Sequence, residues 1–164
     1  HTGNPVRPSF DKVSNPEYKY NDSNTSINIL VMGGSQGAAF LNNTMPFAFS
    51  HFHNTNVSIK HISGPNHAGS VKNKYLKYSI DSTVITYSNS IDKLYDWADL
   101  VICRAGSTSI SELAKIGRAV ILVPFPYATD NHQFFNANYL AKNSAAILLE
   151  EKVEFIENFI KSKN

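Results

Sequence analysis

Cysteine is almost absent: Cys103 is the only one among 164 residues. A lone thiol makes no bridge within the chain and supplies no Cys-rich zinc site, which excludes a disulfide scaffold and leaves a reducing compartment as the expectation. Charge is also sparse, at 17% of residues, and nearly balanced, with 15 Lys and Arg against 13 Asp and Glu. No block of like charge occurs, so neither a nucleic-acid surface nor a polybasic membrane anchor is expected. No apolar run reaches the roughly eighteen residues of a spanning helix, and His1 to Pro5 have neither the basic flank nor the apolar stretch of a signal peptide. The single tryptophan, Trp97, has no interleaved basic residues as a base-stacking groove would need, and with Leu94 and Tyr95 it reads as the core or rim of a helix. No G-x-S-x-G elbow and no Ser-His-Asp arrangement are found. His51 and His53 diverge on either regular structure and lack a carboxylate at ligand spacing, so they read as surface histidines and no metal site is expected. The chain does not open on Met, and the expectation is a piece of a longer polypeptide.

What remains, 42% hydrophobic residues, suffices for one core. After a polar, proline-bearing lead over 1–26, apolar or β-branched runs fall at 27–32, 57–62, 83–87, 100–103, 119–123 and 145–149. Segments with helical spacing lie between and after them, at 38–50, 70–78, 91–97, 109–116, 133–141 and 153–160. Strand and helix alternate with short loops, which predicts right-handed βαβ crossovers. The expected fold is α/β, a Rossmann-like parallel sheet of about six strands with helices on both faces, formed by residues 27–164. Pro46 falls inside the first helical segment and predicts a kink, or a turn followed by a second helix.

In such a sheet ligands sit beyond the carboxyl ends of the strands, so the loops there are the place for chemistry. Gly33-Gly34-Ser35-Gln36-Gly37 leaves the first strand and opens a helix, exposing amides and a positive dipole end to an anion. It is neither a dinucleotide fingerprint nor a P-loop, and a Gly-rich turn with a capping Ser explains the same residues. Ser107-Thr108-Ser109-Ile110-Ser111-Glu112 follows the fourth strand. Ser109 and Glu112 fit a capping box; alternatively Glu112 accepts two hydrogen bonds from a vicinal diol such as a ribose, with the neighbouring hydroxyls and amides near a phosphate. The loop from Pro124 to Gln133 is stiffened by Pro124 and Pro126 and could hold His132, Gln133 and Asn136 against a hydroxyl-rich ligand; equally, Asp130 or Asn131 could cap the helix. Ser88, in Tyr87-Ser88-Asn89-Ser90-Ile91, could present its backbone to the edge of a base, with Ile91 beside it, although turn chemistry accounts for Ser-Asn-Ser as well.

Taken in order along the chain, these pieces resemble the carboxyl-terminal, donor-binding half of the MurG-type GT-B glycosyltransferases of family 28. The resemblance rests on Thr2-Gly3-Asn4-Pro5-Val6-Arg7, on Gly33 to Ala38 with Leu41-Asn42 and Met45-Pro46, and on Tyr95 to Asp99. It continues through Cys103-Arg104 with Gly106, Ser111-Glu112, Pro124-Phe125, His132-Gln133 and Asn136-Ala137. It implies inverting transfer of N-acetylglucosamine from UDP-GlcNAc to the C4 hydroxyl of the muramoyl sugar of lipid I, giving lipid II for peptidoglycan, with no tightly held metal or other cofactor. By the same resemblance Glu112 grips the uridine ribose, Ser107 to Ser111 lie around the nucleotide, and Gly34, Ser35 and Gln36 lie near the diphosphate and sugar. Arg7 is a donor-site arginine, His132 and Gln133 contact GlcNAc hydroxyls, and Ser88 reads uracil through its backbone. The lipid I acceptor, the general base and the membrane contact belong to an amino-terminal domain outside this chain. The whole protein is then cytoplasmic and peripheral on the inner face of the cytoplasmic membrane, and the fragment binds donor without transferring sugar.

Two departures stand out: Tyr87 to Ser90 replaces the family's usual stretch at the uracil loop, and Ala119 stands where a proline is usual. Two other readings share the architecture. One is a noncatalytic nucleotide-sugar-binding subunit that works with a separate membrane-bound partner chain. The other is a UDP-GlcNAc 2-epimerase-like domain, which calls for carboxylates and histidines placed for proton abstraction, a set this sequence lacks.

Overall fold

Each of the apolar runs becomes a strand of one sheet. The computed structural model describes residues 4–17, 26–34, 37–52 and 56–162. The strands are β1 (Ile27–Met32), β2 (Val57–Ile62), β3 (Ser82–Ile85), β4 (Leu100–Cys103), β5 (Ala119–Leu122) and β6 (Ile147–Leu148). The helices are α1 (Ala39–Phe49), α2 (Ala68–Lys77), α3 (Ile91–Trp97), α4 (Ser107–Ile116), α5 (His132–Lys142) and α6 (Phe155–Lys161), with 3-10 turns at Pro8–Lys12 and Thr129–Asn131. All strand pairs are parallel, in the order β3-β2-β1-β4-β5-β6.

The two-residue period of the strands sorts the core into two layers. Leu30, Met32, Val101, Cys103 and Leu122 face one layer, where Leu94, Tyr95, Leu113 and Ala137 of α3, α4 and α5 cover them. Ile29, Val31, Ile102, Ile121 and Val123 face the other, beneath Leu41, Met45, Val71, Tyr75 and Phe155 of α1, α2 and α6. Central strands buried on both faces are mostly apolar, which is why β1 and β4 read as near-continuous runs.

The strand order reverses between β1 and β4, whose last residues, Met32 and Cys103, pair. Loops leaving neighbouring strands in opposite directions open a crevice at that point. The lead segment packs beside it: Phe10 is 2% exposed and its ring lies 5.6 Å from that of Tyr95. Arg118, 3% exposed, donates from Nε to the Tyr95 carbonyl and from Nη2 to the Ser14 carbonyl, and Lys115 pairs with Asp11. These bonds hold residues 7–15 against α3 and α4 and set Arg7 over the cleft.

Several expectations need correction. Pro46 does not start a second helix; a single helix, Ala39–Phe49, runs through it. Leu41, Met45, Ala48 and Phe49 are buried around it, and tertiary packing of that face outweighs the one hydrogen bond a proline cannot donate. The helix after β4 begins at Ser107, two residues before the expected Ser109. β3 stops at Ile85, short of the expected 87, and the chain bends at Thr86. β6 is shorter than 145–149, since Ser144 takes a positive φ and the Ala145 amide closes the end of α5 on the Leu140 carbonyl.

Candidate functional site

Two clefts meet at the carboxyl ends of β1 and β4. The first, about 410 Å³, is walled by Met32 and Gly34 after β1, Ile62 of β2, Tyr87 and Ser88 after β3, and Ile91 at the start of α3. Thr108, Ser109 and Glu112 of α4 and Arg7 of the lead complete it. The second, about 440 Å³, is lined by Gly33, Gly34, Gly37 and the start of α1 on one side, and by Arg104, Gly106, Phe125, Gln133 and Glu151 on the other. Gly34 and Ser109 line both, so the clefts adjoin at the switch point.

The Gly-rich loop owes its path to contacts that no side chain would permit. Gly37 has φ +80°, and a Cβ there would stand 2.2 Å from the Ser63 carbonyl oxygen; Gly34 has φ +92° but faces open space. A buried polar chain supports the same corner. Asn42 Nδ2 donates to the Ser63 carbonyl at 2.9 Å, which aims Asn42 Oδ1 at His61 Nε2, also 2.9 Å away. His61 Nε2 therefore donates, and Nδ1 accepts from the Tyr75 hydroxyl at 2.9 Å. Burial lowers the His61 pKa to about 3, so the imidazole is neutral, and burial likewise raises that of the Tyr75 phenol.

Neither α1 nor α4 has a side-chain cap among the described residues. Gly106 is the N-cap of α4, Ser109 lies inside the helix, and the capping box does not form. The Glu112 carboxylate instead accepts from Arg7, at 2.8 Å from Nη2 and 3.3 Å from Nε, on a side chain 4% exposed. That bond raises the Arg7 pKa further above its usual value. With their first-turn amides uncapped, the two helix starts offer donors and positive dipole ends to an anion lying between them.

In the second cleft Arg104 pairs with Glu151, donates to the carbonyls of Val123 and Pro124, and lies 5.3 Å from the Phe125 ring centre. Gln133 accepts from the Phe125 amide at 3.1 Å, and Asn136 donates to the Ala105 carbonyl at 3.1 Å. These bonds tie α5 to the loops after β4 and β5. Asp130 and Asn131 adopt left-handed conformations, and no side chain caps α5.

The clefts thus bring together Arg7, Gly34, Ser88, Ile91, Thr108, Ser109, Glu112 and Gln133 from the sequence expectations. Asn136 sits behind them as a support. Ser107, Ile110, Ser111 and His132 line neither cleft: Ile110 packs on the core, Ser111 Oγ bonds back to the Ser107 carbonyl, and exposed His132 bonds the Thr129 carbonyl at 2.7 Å. Ser35 and Gln36 lie outside the described residues, as does His53. Sequence reasoning did not single out Glu151, whose pairing with Arg104 has no local signature, or Phe40, which lines the second cleft from the first turn of α1.

Residues 28–162 match the glycosyltransferase family 28 C-terminal domain. The chain belongs to that family. Two curated relatives are named UDP-N-acetylglucosamine–N-acetylmuramyl-(pentapeptide) pyrophosphoryl-undecaprenol N-acetylglucosamine transferase. The one from Psychromonas ingrahamii is 42% identical over 92% of this chain and 42% of its own length. The one from Pseudoalteromonas translucida is 44% identical over 91% of this chain and 41% of its own length. The crystal structure of Acinetobacter baumannii MurG superposes with a TM-score of 0.86 at 28% identity, covering 99% of this chain and 47% of that one. This family 28 chain therefore spans less than half the length of the relatives it matches. No helix among its described residues is long and apolar enough to cross a membrane.

Proposed function

We propose that this domain is the donor-binding half of an enzyme that transfers N-acetylglucosamine from UDP-GlcNAc to lipid I, forming lipid II for peptidoglycan. The observation that carries the reading is the first cleft, where Glu112, Ser88, Ile91 and the start of α4 converge at the switch point. Glu112 has a carboxylate to receive the two hydroxyls of the uridine ribose, and the loop at Ser88 with Ile91 flanks the base. The uncapped starts of α1 and α4 receive the diphosphate. The second cleft receives the sugar, with Gln133 held at its rim by the Phe125 amide.

In this reading the fixed amides stabilise negative charge that grows on UDP as the glycosidic bond breaks, without reorganising at that moment. Residues 1–26 lead in from an amino-terminal half that supplies the lipid I acceptor, the general base and the contact with the inner face of the cytoplasmic membrane. Calorimetry on the 164-residue chain tests the donor site. UDP and UDP-GlcNAc are expected to bind, with UDP-GalNAc and TDP-glucose weaker; no binding of any uridine diphosphate rejects the reading.

A further inference from the structure

The Arg7–Glu112 ion pair joins two residues that the donor-site reading places together, and its geometry separates their roles. Both Arg7 donors, Nη2 and Nε, converge on a single oxygen, Glu112 Oε1. The Nε–Nη2 edge is the one that forms side-on, two-pronged contacts with anions, and here it is already spent on a carboxylate. The arginine is fixed from behind as well. Its Cζ lies 5.7 Å from the Phe10 ring centre, and Phe10 is buried against Tyr95. Glu112 is the inner partner, with 4% of its side chain exposed against 57% for Arg7. A carboxylate taken so far out of water needs a cation on it, and Arg7 supplies that cation while leaving Oε2 without an Arg7 hydrogen bond.

We infer, resting on the donor-site reading, that Arg7 is a positioning residue that acts through Glu112. It sets the carboxylate to grip the ribose diol and makes no direct contact with the diphosphate, which the helix starts hold. Ribose recognition in the domain therefore depends on the lead segment as well as on α4.

The test compares two ligands on the same variant, so any small change in stability cancels. Calorimetry measures UDP and 2′,3′-dideoxy-UDP on the unsubstituted chain, Arg7→Ala, Glu112→Gln and the double variant. Arg7→Ala is expected to weaken UDP about tenfold and the dideoxy compound by less than about twofold. In the Glu112→Gln background, Arg7→Ala is expected to cost less than about twofold more for UDP, because the residue it acts through has already lost its charge. An equal loss for both ligands means direct contact with the phosphates and overturns the inference; so does full additivity in the double variant, or no loss with UDP. If the dideoxy compound binds too weakly to titrate, the double variant with UDP decides. Failure of the unsubstituted chain to bind UDP overturns the donor-site reading and this inference with it, whereas UDP binding without ribose-dependent coupling overturns this inference alone.

Discussion

Gly37 and Ser63 touch backbone to backbone: a Cβ on Gly37 would lie 2.2 Å from the Ser63 carbonyl oxygen. The contact binds the loop after β1 to the loop after β2, and Asn42 accounts for the same carbonyl from the other side. Since neither atom belongs to a flexible side chain, the loop cannot yield locally. Gly37→Ala is expected to destabilise the domain by about 2–4 kcal/mol through the clash and the left-handed backbone together. Gly34→Ala, with the same backbone sign but open space, should cost only about 1–2 kcal/mol. Urea denaturation of the two variants checks the contrast, and equal losses would mean that conformation alone governs the loop.

Glu112 does not cap α4, so its removal should leave the helix start intact. Glu112→Ala is expected to weaken UDP binding by about 1.5–3 kcal/mol, the range for a lost charged hydrogen bond. Calorimetry gives the affinity and far-ultraviolet circular dichroism the helix content. Unchanged affinity with loss of helix would restore the capping role, which the Gly106 N-cap of α4 argues against.

His61 makes the fold sensitive to acid. Its pKa falls from 6.5 to about 3 on burial, so between those values the unfolded chain binds a proton that the folded chain refuses. Stability from this residue is complete above about pH 6.5 and declines by about 1.4 kcal/mol per unit as pH falls toward 3. Chemical denaturation of the native chain and of His61→Gln at pH 7 and pH 5 should show a smaller drop for the variant. Parallel curves would mean that the imidazole becomes protonated inside the fold.

Cys103 closes β4 at 1% exposure, and burial, with Glu112 adding to it, pushes its thiol up to about 12. Reactivity requires both thiolate and access. Iodoacetamide at mildly alkaline pH is expected to leave Cys103 unmodified in the native domain and to label it fully in denaturant, as intact-mass spectrometry would show. Rapid native labelling would mean that the core around β4 opens.

The parallel sheet was legible because its middle must be buried on both faces, so β1 and β4 appear as mostly apolar runs stopped by polar or glycine-bearing loops, while β2 shows apolar and β-branched residues interleaved with polar ones. The edges were less legible. β6 keeps two residues because the Ser144 turn takes Ala145 out of the ladder, a competition between local turn and strand that a run of apolar letters does not express. Pro46 misled for the opposite reason: its local cost is real, but burial of the helix around it decides the outcome.

Residue spacing alone placed the glycines after β1 and the acid on the helix after β4, since loops that follow neighbouring strands must face the same crevice. It left Glu112 with two roles, because a capping box and a ligand-facing carboxylate have the same letters at the same interval. Only the tertiary structure removed the cap, by starting α4 at Ser107, and brought Arg7 from 105 positions away onto Glu112. Pairing at that separation depends on Phe10 and Arg118 docking the lead segment against α3 and α4, a consequence of packing in three dimensions that no local pattern encodes.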